Sequence, residues 1–247
     1  MHSNELKEKL VSLFDKNKLA SLPDEWGFFN DCNRDVNRIG YAVNLTTDNI
    51  IKAKNMNVDF LITHHPASFM LDMKEKCNSM LKERQISHAY FHAPLDDADF
   101  GNSSILAKSL GLIDYKKAIP YKNDCFWGVI GELPQAVGIE EFGNRLSKII
   151  GESIKVYKNN NELIHKVCIN AGGGDSTYKL KEAFDLNSNV YITGGYNLDF
   201  QLYAEFLNIN LLIGSHTNTE QLGIQNMMDI LGSLIDIDIV KIDEKHY

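Results

Sequence analysis

The chain has 247 residues, a formal net charge of -8 at pH 7, 44% apolar residues and 23% charged ones. At this length folding buries roughly three quarters of the unfolded chain's surface, so the composition is that of an ordinary folded protein that needs no staples. The acidic balance excludes a general nucleic-acid or membrane-surface binder, because neither has its electrostatic attraction supplied.

Residues 3 to 17 carry Leu6, Leu10, Val11 and Phe14 at helical spacing, with Ser3 as the expected N-cap. The stretch from Leu19 to Arg38 reads as irregular, broken at Pro23 and Gly27 and anchored by Trp26, Phe28 and Phe29. An apolar run from Ile39 to Val43 predicts a strand, followed by a helix over 47 to 56 capped by Thr46 or Thr47. The run Val58 to Thr63 predicts a strand buried on both faces, as in a parallel sheet.

A helix from about 70 to 84 follows. Its lysines alternate with Glu75 and Glu83, which marks a solvated face. A strand over 86 to 91 and a helix over 102 to 110 closed by Gly111 complete an alternation that argues for an α/β sheet. The pattern loosens between Asp114 and Pro120, and a lobe boundary is expected near 115 to 123. Beyond it the sequence predicts a strand at 125 to 132, a turn from Pro134 to Gly138 and a helix over 139 to 150 ended by Gly151. Strands follow at 153 to 157, 166 to 170, 189 to 193, 209 to 214 and 237 to 242, with helices at 176 to 185, 197 to 207 and 218 to 234.

Cys32, Cys77, Cys125 and Cys168 are scattered without a Cys-x-x-Cys pair, which excludes a zinc ribbon or thioredoxin-like motif and suits reduced thiols. The N-terminus lacks a signal peptide's apolar core and no run approaches a membrane span, so a cytoplasmic location with no membrane association is expected.

Four of the eight histidines, His64, His65, His92 and His216, fall at predicted strand ends with carboxylates close by in sequence. Open α/β sheets bind ligands outside the carboxyl ends of their strands, so three such ends are expected to converge on one crevice. Adjacent strand residues point to opposite sides, and Pro66 holds His65 extended, so His64 and His65 suit two metals more readily than one. Asp96 and Glu220, each four residues beyond a histidine, are candidate bridging carboxylates across a gap of about 3.5 to 4 Å. Mixed nitrogen and oxygen donors without thiolate suit zinc, manganese, iron or cobalt.

Each feature also has a plainer reading. Thr217-Asn218-Thr219-Glu220 fits a capping box, Asp96 and Asp97 fit turn or helix-dipole positions, and His88, His165 and His246 read as structural. Gly172-Gly173-Gly174-Asp175-Ser176 reads as a tight turn with Asp175 or Ser176 as N-cap, or as an anion-binding nest. The coincidence of histidines at three strand ends makes metal binding the stronger reading.

Ile62-Thr63-His64-His65-Pro66, His92-Ala93-Pro94-Leu95-Asp96, and Gly214-Ser215-His216-Thr217-Asn218-Thr219-Glu220 followed by Gly223 occur in this order. They resemble the three signatures of the GTP cyclohydrolase I type 2 homologue family, the Nif-three-like dinuclear metal proteins. The resemblance implies two divalent ions held by His64, His65, Asp96, His216 and Glu220, with His92 orienting Asp96 or a metal-bound water. It implies one Nif-three-like unit of two intertwined α/β lobes, here 1–118 plus 217–247 and 119–216, assembled into ring-shaped homohexamers. The chain departs from the family pattern at Asn44, where relatives usually carry Asp, at Gly195, where a Glu often follows Thr-Gly, and at Gln201, near a frequent His.

The function this implies is a metal-dependent hydrolase acting on a nucleotide or related heterocycle, GTP with release of formate in the namesake reaction. The metals would lower the pKa of a bound water to about 7. The alternative is a metal-binding chaperone, sensor or interaction scaffold without turnover, which the departures at Asn44 and Gly195 favour. A purely structural protein would hold no metal.

Overall fold

The apolar runs become the inner strands of two mixed sheets in a computed structural model that describes residues 1–67 and 71–246. The predicted helix start at residue 70 lies outside the described residues. In chain order the first elements are α1 (Ser3–Ser12), α2 (Lys16–Ser21), β1 (Trp26–Asn30), β2 (Arg38–Asn44), α3 (Thr47–Asn55), β3 (Phe60–His65), α4 (Leu71–Arg84), β4 (Ser87–Phe91) and α5 (Ala93–Asp97). They are followed by α6 (Asn102–Leu110), β5 (Ile113–Pro120), β6 (Phe126–Val137), α7 (Ile139–Ile150), β7 (Lys155–Tyr157), β8 (Ile164–Asn170), α8 (Thr177–Asp185), β9 (Val190–Thr193), α9 (Leu198–Leu207) and β10 (Asn210–Ile213). The chain closes with α10 (His216–Gly232) and β11 (Asp238–Lys241). No helix among the described residues is long and apolar enough to cross a membrane.

Two compact units divide these elements: Met1–Ala98 with Ile224–Lys245, and Asp99–Gly223 with His246. In the first, strands run β1-β4-β3-β2-β11, with β4, β3, β2 and β11 parallel and β1 antiparallel at the edge. The expectation for Val58 to Thr63 holds: every residue of β3 except His65 is buried, and β4 is buried throughout. Ala42 and Leu61 face a core shared with Ile50 and Ala53 of α3 and Cys77, Met80 and Leu81 of α4. Phe91 at the end of β4 stacks on Phe14 and Trp26, at ring distances of 4.8 and 5.9 Å.

In the second unit strands run β5-β6-β8-β9-β10-β7, with β8, β9 and β10 parallel. Strand alternation divides their side chains between two cores. Val167, Ile169, Val190 and Ile192 pack with Phe142 and Leu146 of α7, while Cys168 and Tyr191 pack with Leu180 of α8 and Phe200 of α9. The α/β expectation is met in both units.

Several local readings change. The N-cap of α1 is His2, whose ring Nδ1 accepts from the Asn4 amide, so Ser3 is already helical. The helical run ends early because Asp15 accepts from the amides of Asn17 and Lys18 and starts α2. The irregular stretch contains β1, an edge strand secured by aromatic stacking and not by periodicity. Residues 113 to 120 and Pro134 also lie in strands. The proline falls within the register shift between Glu132 and Val137, where no regular ladder bond is required of it. The last helix starts at His216 and not at 218, because Ser215 Oγ accepts from the Asn218 amide.

His88, read as structural, explains part of how β3 is held. Thr63 Oγ1 donates to the His65 carbonyl at 2.6 Å, so at 2.9 Å it accepts from His88 Nε2. The His88 Nδ1 has no partner among the described residues, and complete burial pushes its pKa down to about 3 from 6.5. Between those values only the unfolded chain takes up a proton here, so the stability present above 6.5 is lost as pH falls toward 3. In metal-free protein, urea unfolding should lose a few kcal/mol across this window. A His88→Leu variant should show a flatter pH dependence, and an unchanged slope would refute the assignment.

Candidate metal centre

The end of β3 carries His64 and His65, and the parallel register sets Asn44 of β2 beside His65. His64 is fully buried, and its Nδ1 lies 2.9 Å from the Phe91 carbonyl oxygen. A carbonyl only accepts, so Nδ1 carries the proton and Nε2 presents its lone pair. That Nε2 is 3.7 Å from Asp96 Oδ1. His65 Nδ1 lies 2.9 Å from Asn44 Oδ1.

His92 follows β4 and occupies the N-cap position of α5, with its carbonyl accepting from the amides of Leu95 and Asp96. Pro94 in the first turn lacks the N–H a helix start leaves unbonded, which suits it to so short a helix. This turn buries both carboxylates and separates their tasks: Asp97 pairs with Lys18 Nζ at 2.5 Å, while Asp96 faces His64. His92 Nδ1 lies 2.7 Å from Glu25 Oε2.

Three imidazoles therefore stand together in the first unit, with ring centroids 4.4 Å apart for His64 and His65, 5.1 Å for His64 and His92, and 5.3 Å for His65 and His92. One ring nitrogen of each lies within 4.8 Å of those of the other two. Their Nδ1 atoms face a carbonyl, an amide oxygen and a carboxylate, the partners that a metal-ligating imidazole gives its second nitrogen. This donor set fits a divalent cation of the zinc, iron, manganese or cobalt type. None of the four cysteines is joined in a disulfide, and none belongs to a donor group among the described residues.

In the second unit, His216 and Glu220 lie one turn apart on α10, with His216 Nε2 3.3 Å from Glu220 Oε1. The capping box is not formed: Ser215 caps the helix, and the buried Glu220 carboxylate faces His216. The strand ends bearing the histidines do not share one sheet, since β3 and β4 are neighbours in the first and β10 belongs to the second.

The glycine turn braces α10. Gly172 has φ +69°, and its amide donates to Thr219 Oγ1, while the Gly174 amide donates to Thr193 Oγ1. With these amides engaged inside the protein, the segment is the tight turn and not an open anion nest. Ser176 is the N-cap of α8 by backbone conformation, without a side-chain capping bond. At Gly195 an added Cβ would come within 3.0 Å of the Asp175 carboxylate, so that acid occupies the space beside this position.

Glu25 and Glu244 escaped sequence reasoning. Glu25 is 67 positions from His92 and Glu244 is 200 from Asn44, and neither stands in a motif.

These features define an α/β protein with an imidazole-rich, thiol-free candidate metal centre. Residues 1–246 match the Duf34/NIF3 (NGG1p interacting factor 3) family, and the chain belongs to it. It is similar to the GTP cyclohydrolase 1 type 2 homolog of Pyrococcus horikoshii, 27% identical over 96% of this chain and 97% of the relative. The protein of the same name from Borreliella burgdorferi is 26% identical over 97% and 96%. Among solved structures, reduced HcgD from Methanocaldococcus jannaschii superposes with a TM-score of 0.85 at 25% identity, covering 99% of this chain and 98% of its own. The protein ybgI, described as of unknown function, gives 0.85 at 22% identity with 99% of each chain covered, a likeness of fold.

Gly172→Ala tests the brace. The new Cβ would run into Glu220 Oε1 and lie 2.9 Å from His216 Nε2, in a left-handed backbone conformation. The expected result is a loss of more than about 1 kcal/mol in thermal or urea unfolding. Bound metal should fall as well. Gly173→Ala, whose Cβ meets His216 Cε1 at an ordinary 3.4 Å, should leave both near wild type.

Proposed function

We propose that the protein binds two divalent metal ions through His64, His65, Asp96, His216 and Glu220 and uses them to hydrolyse a nucleotide or related heterocycle. The observation that carries the reading is the pair His64 and His65, in which each Nδ1 is tied to an oxygen and one nitrogen of each ring lies close to the other, with Asp96 beside His64. The paired His216 and Glu220 on α10 support the remaining ligands. When bound, the ions supply Lewis-acid polarisation and a lowered pKa for water.

The residues of the chain do the rest. His64 and His65 offer Nε2 donors held in one tautomer by Phe91 and Asn44. Glu25 holds the Nδ1 proton of His92 and leaves Nε2 as a base that takes a proton from the attacking water and returns it to the departing group. Asp97 is withdrawn from this chemistry by Lys18. The names of the Pyrococcus horikoshii and Borreliella burgdorferi relatives support a GTP-type substrate, and release of formate is part of the same proposal. A ring-shaped hexamer belongs to the same proposal, with light scattering of the purified protein as its measurement.

Elemental analysis of protein purified without added metal or metal-affinity resin should find about two transition-metal ions per chain. His65→Ala and Glu220→Ala should each lower that content, and wild-type content in both variants would overturn the site. Incubation of the metal-loaded protein with GTP and a panel of other nucleotides should release formate, while His92→Ala should slow release by about 10²-fold or more. A metal-loaded protein inert to the whole panel would favour the metal chaperone, sensor or scaffold reading instead.

A further inference from the structure

We infer that Glu244 is a positioning residue for His65, acting through Asn44 to decide which nitrogen of the imidazole carries the proton. The inference rests on the metal reading for its function, though not for its geometry. Parallel pairing of β11 with β2 brings Glu244 to the end of β2, where the Ile242 amide donates to the Tyr41 carbonyl and Lys52 Nζ donates to the Asp243 carbonyl. The buried Glu244 carboxylate there accepts the amides of Val43 and Asn44 and the side-chain Nδ2 of Asn49. It also accepts from Asn44 Nδ2 at 3.0 Å.

The direction of every bond in this chain follows from chemistry. A carboxylate that receives N–H donors only accepts, so the Asn44 amide must turn its NH₂ toward Glu244. Its Oδ1 is then left facing His65 Nδ1 at 2.9 Å. An amide oxygen also only accepts, so His65 Nδ1 must carry the hydrogen and Nε2 must present its lone pair. Removing the acceptor at 244 removes the bond that sets this orientation of the amide. Its NH₂ would then face His65 Nδ1 and favour the tautomer protonated at Nε2, which cannot ligate a cation through that nitrogen.

A carboxylate at 244 also explains how an uncharged residue serves at 44. The negative charge stands one side chain farther from the imidazole, and Asn44 transmits its orientation.

Two readouts test this. In metal-free protein, ¹⁵N-edited NMR of the imidazoles reports the His65 tautomer directly. It should be Nδ1–H in wild type and shift toward Nε2–H in Glu244→Gln and in Asn44→Leu, which removes the relay but leaves Glu244 on its backbone amides. In chelator competition with Zn²⁺, Glu244→Gln should weaken binding by about tenfold. Asn44→Asp alone, which sets two carboxylates against each other, should weaken binding and lower the unfolding temperature. A merely structural Glu244 would predict lost stability with the tautomer unchanged, and that result overturns the inference. If wild-type protein bound no Zn²⁺, the metal reading would fail, while the tautomer measurement would still decide the role of Glu244.

Discussion

Hydrogen-bond polarity at the Nδ1 atoms of three histidines is the constraint on which the first unit's chemistry depends. Imidazole can hold its proton on either nitrogen, and only a protein acceptor at one of them makes the other a dependable donor of electrons. His64, His65 and His92 find that acceptor in the Phe91 carbonyl, the Asn44 amide and the Glu25 carboxylate. The three acceptors differ in charge, but each faces Nδ1 and so leaves the lone pair at Nε2.

Holding those acceptors in place requires buried polar groups with defined partners. The His65 carbonyl is gripped by Thr63, which His88 holds in turn, while the Asn44 side chain is gripped by Glu244. The Thr63 to His88 bond is buried, so loss of either partner there leaves an unsatisfied group at a cost of about 1 to 3 kcal/mol, while the other two are part-buried. The second unit meets the same demand by different means. There a glycine with positive φ lets the backbone approach α10 closely enough for Thr219 to receive its amide, which leaves room for the Glu220 carboxylate beside it. A side chain at Gly172 would remove that room.

Membership of the Duf34/NIF3 family accounts for the fold and for the order of the histidine motifs, and it leaves the chemistry to the residues at hand. Asn44 and Gly195, the positions where the sequence departs from the resemblance, each have a local context in the structure. Asn44 is an orienting amide with a carboxylate behind it, and Gly195 stands against Asp175. Acidic groups are therefore near both positions, though supplied from elsewhere in the sequence.

Length, charge and periodicity were enough to establish an α/β protein, to place most inner strands and helices, and to single out His64, His65, His92, Asp96, His216 and Glu220. These features are local, since burial on both faces of a strand writes a continuous apolar run, and histidines next to Pro66 or near Pro94 stand out against it. Edge elements were not legible in the same way. β1 and β5 depend on a neighbouring strand for their hydrogen bonds, and β1 on aromatic stacking against β4, neither of which leaves a period in the sequence. The difference between Asp96 and Asp97, adjacent and chemically alike, was decided by where Lys18 reaches. Only the tertiary structure could assign the imidazole tautomers, because their determinants, the Glu25 to His92 bond and the Asn44 to Glu244 link, join residues 67 and 200 positions apart. Residue type fixes what a histidine can do, but the acceptor beside its second nitrogen determines which of those things it does.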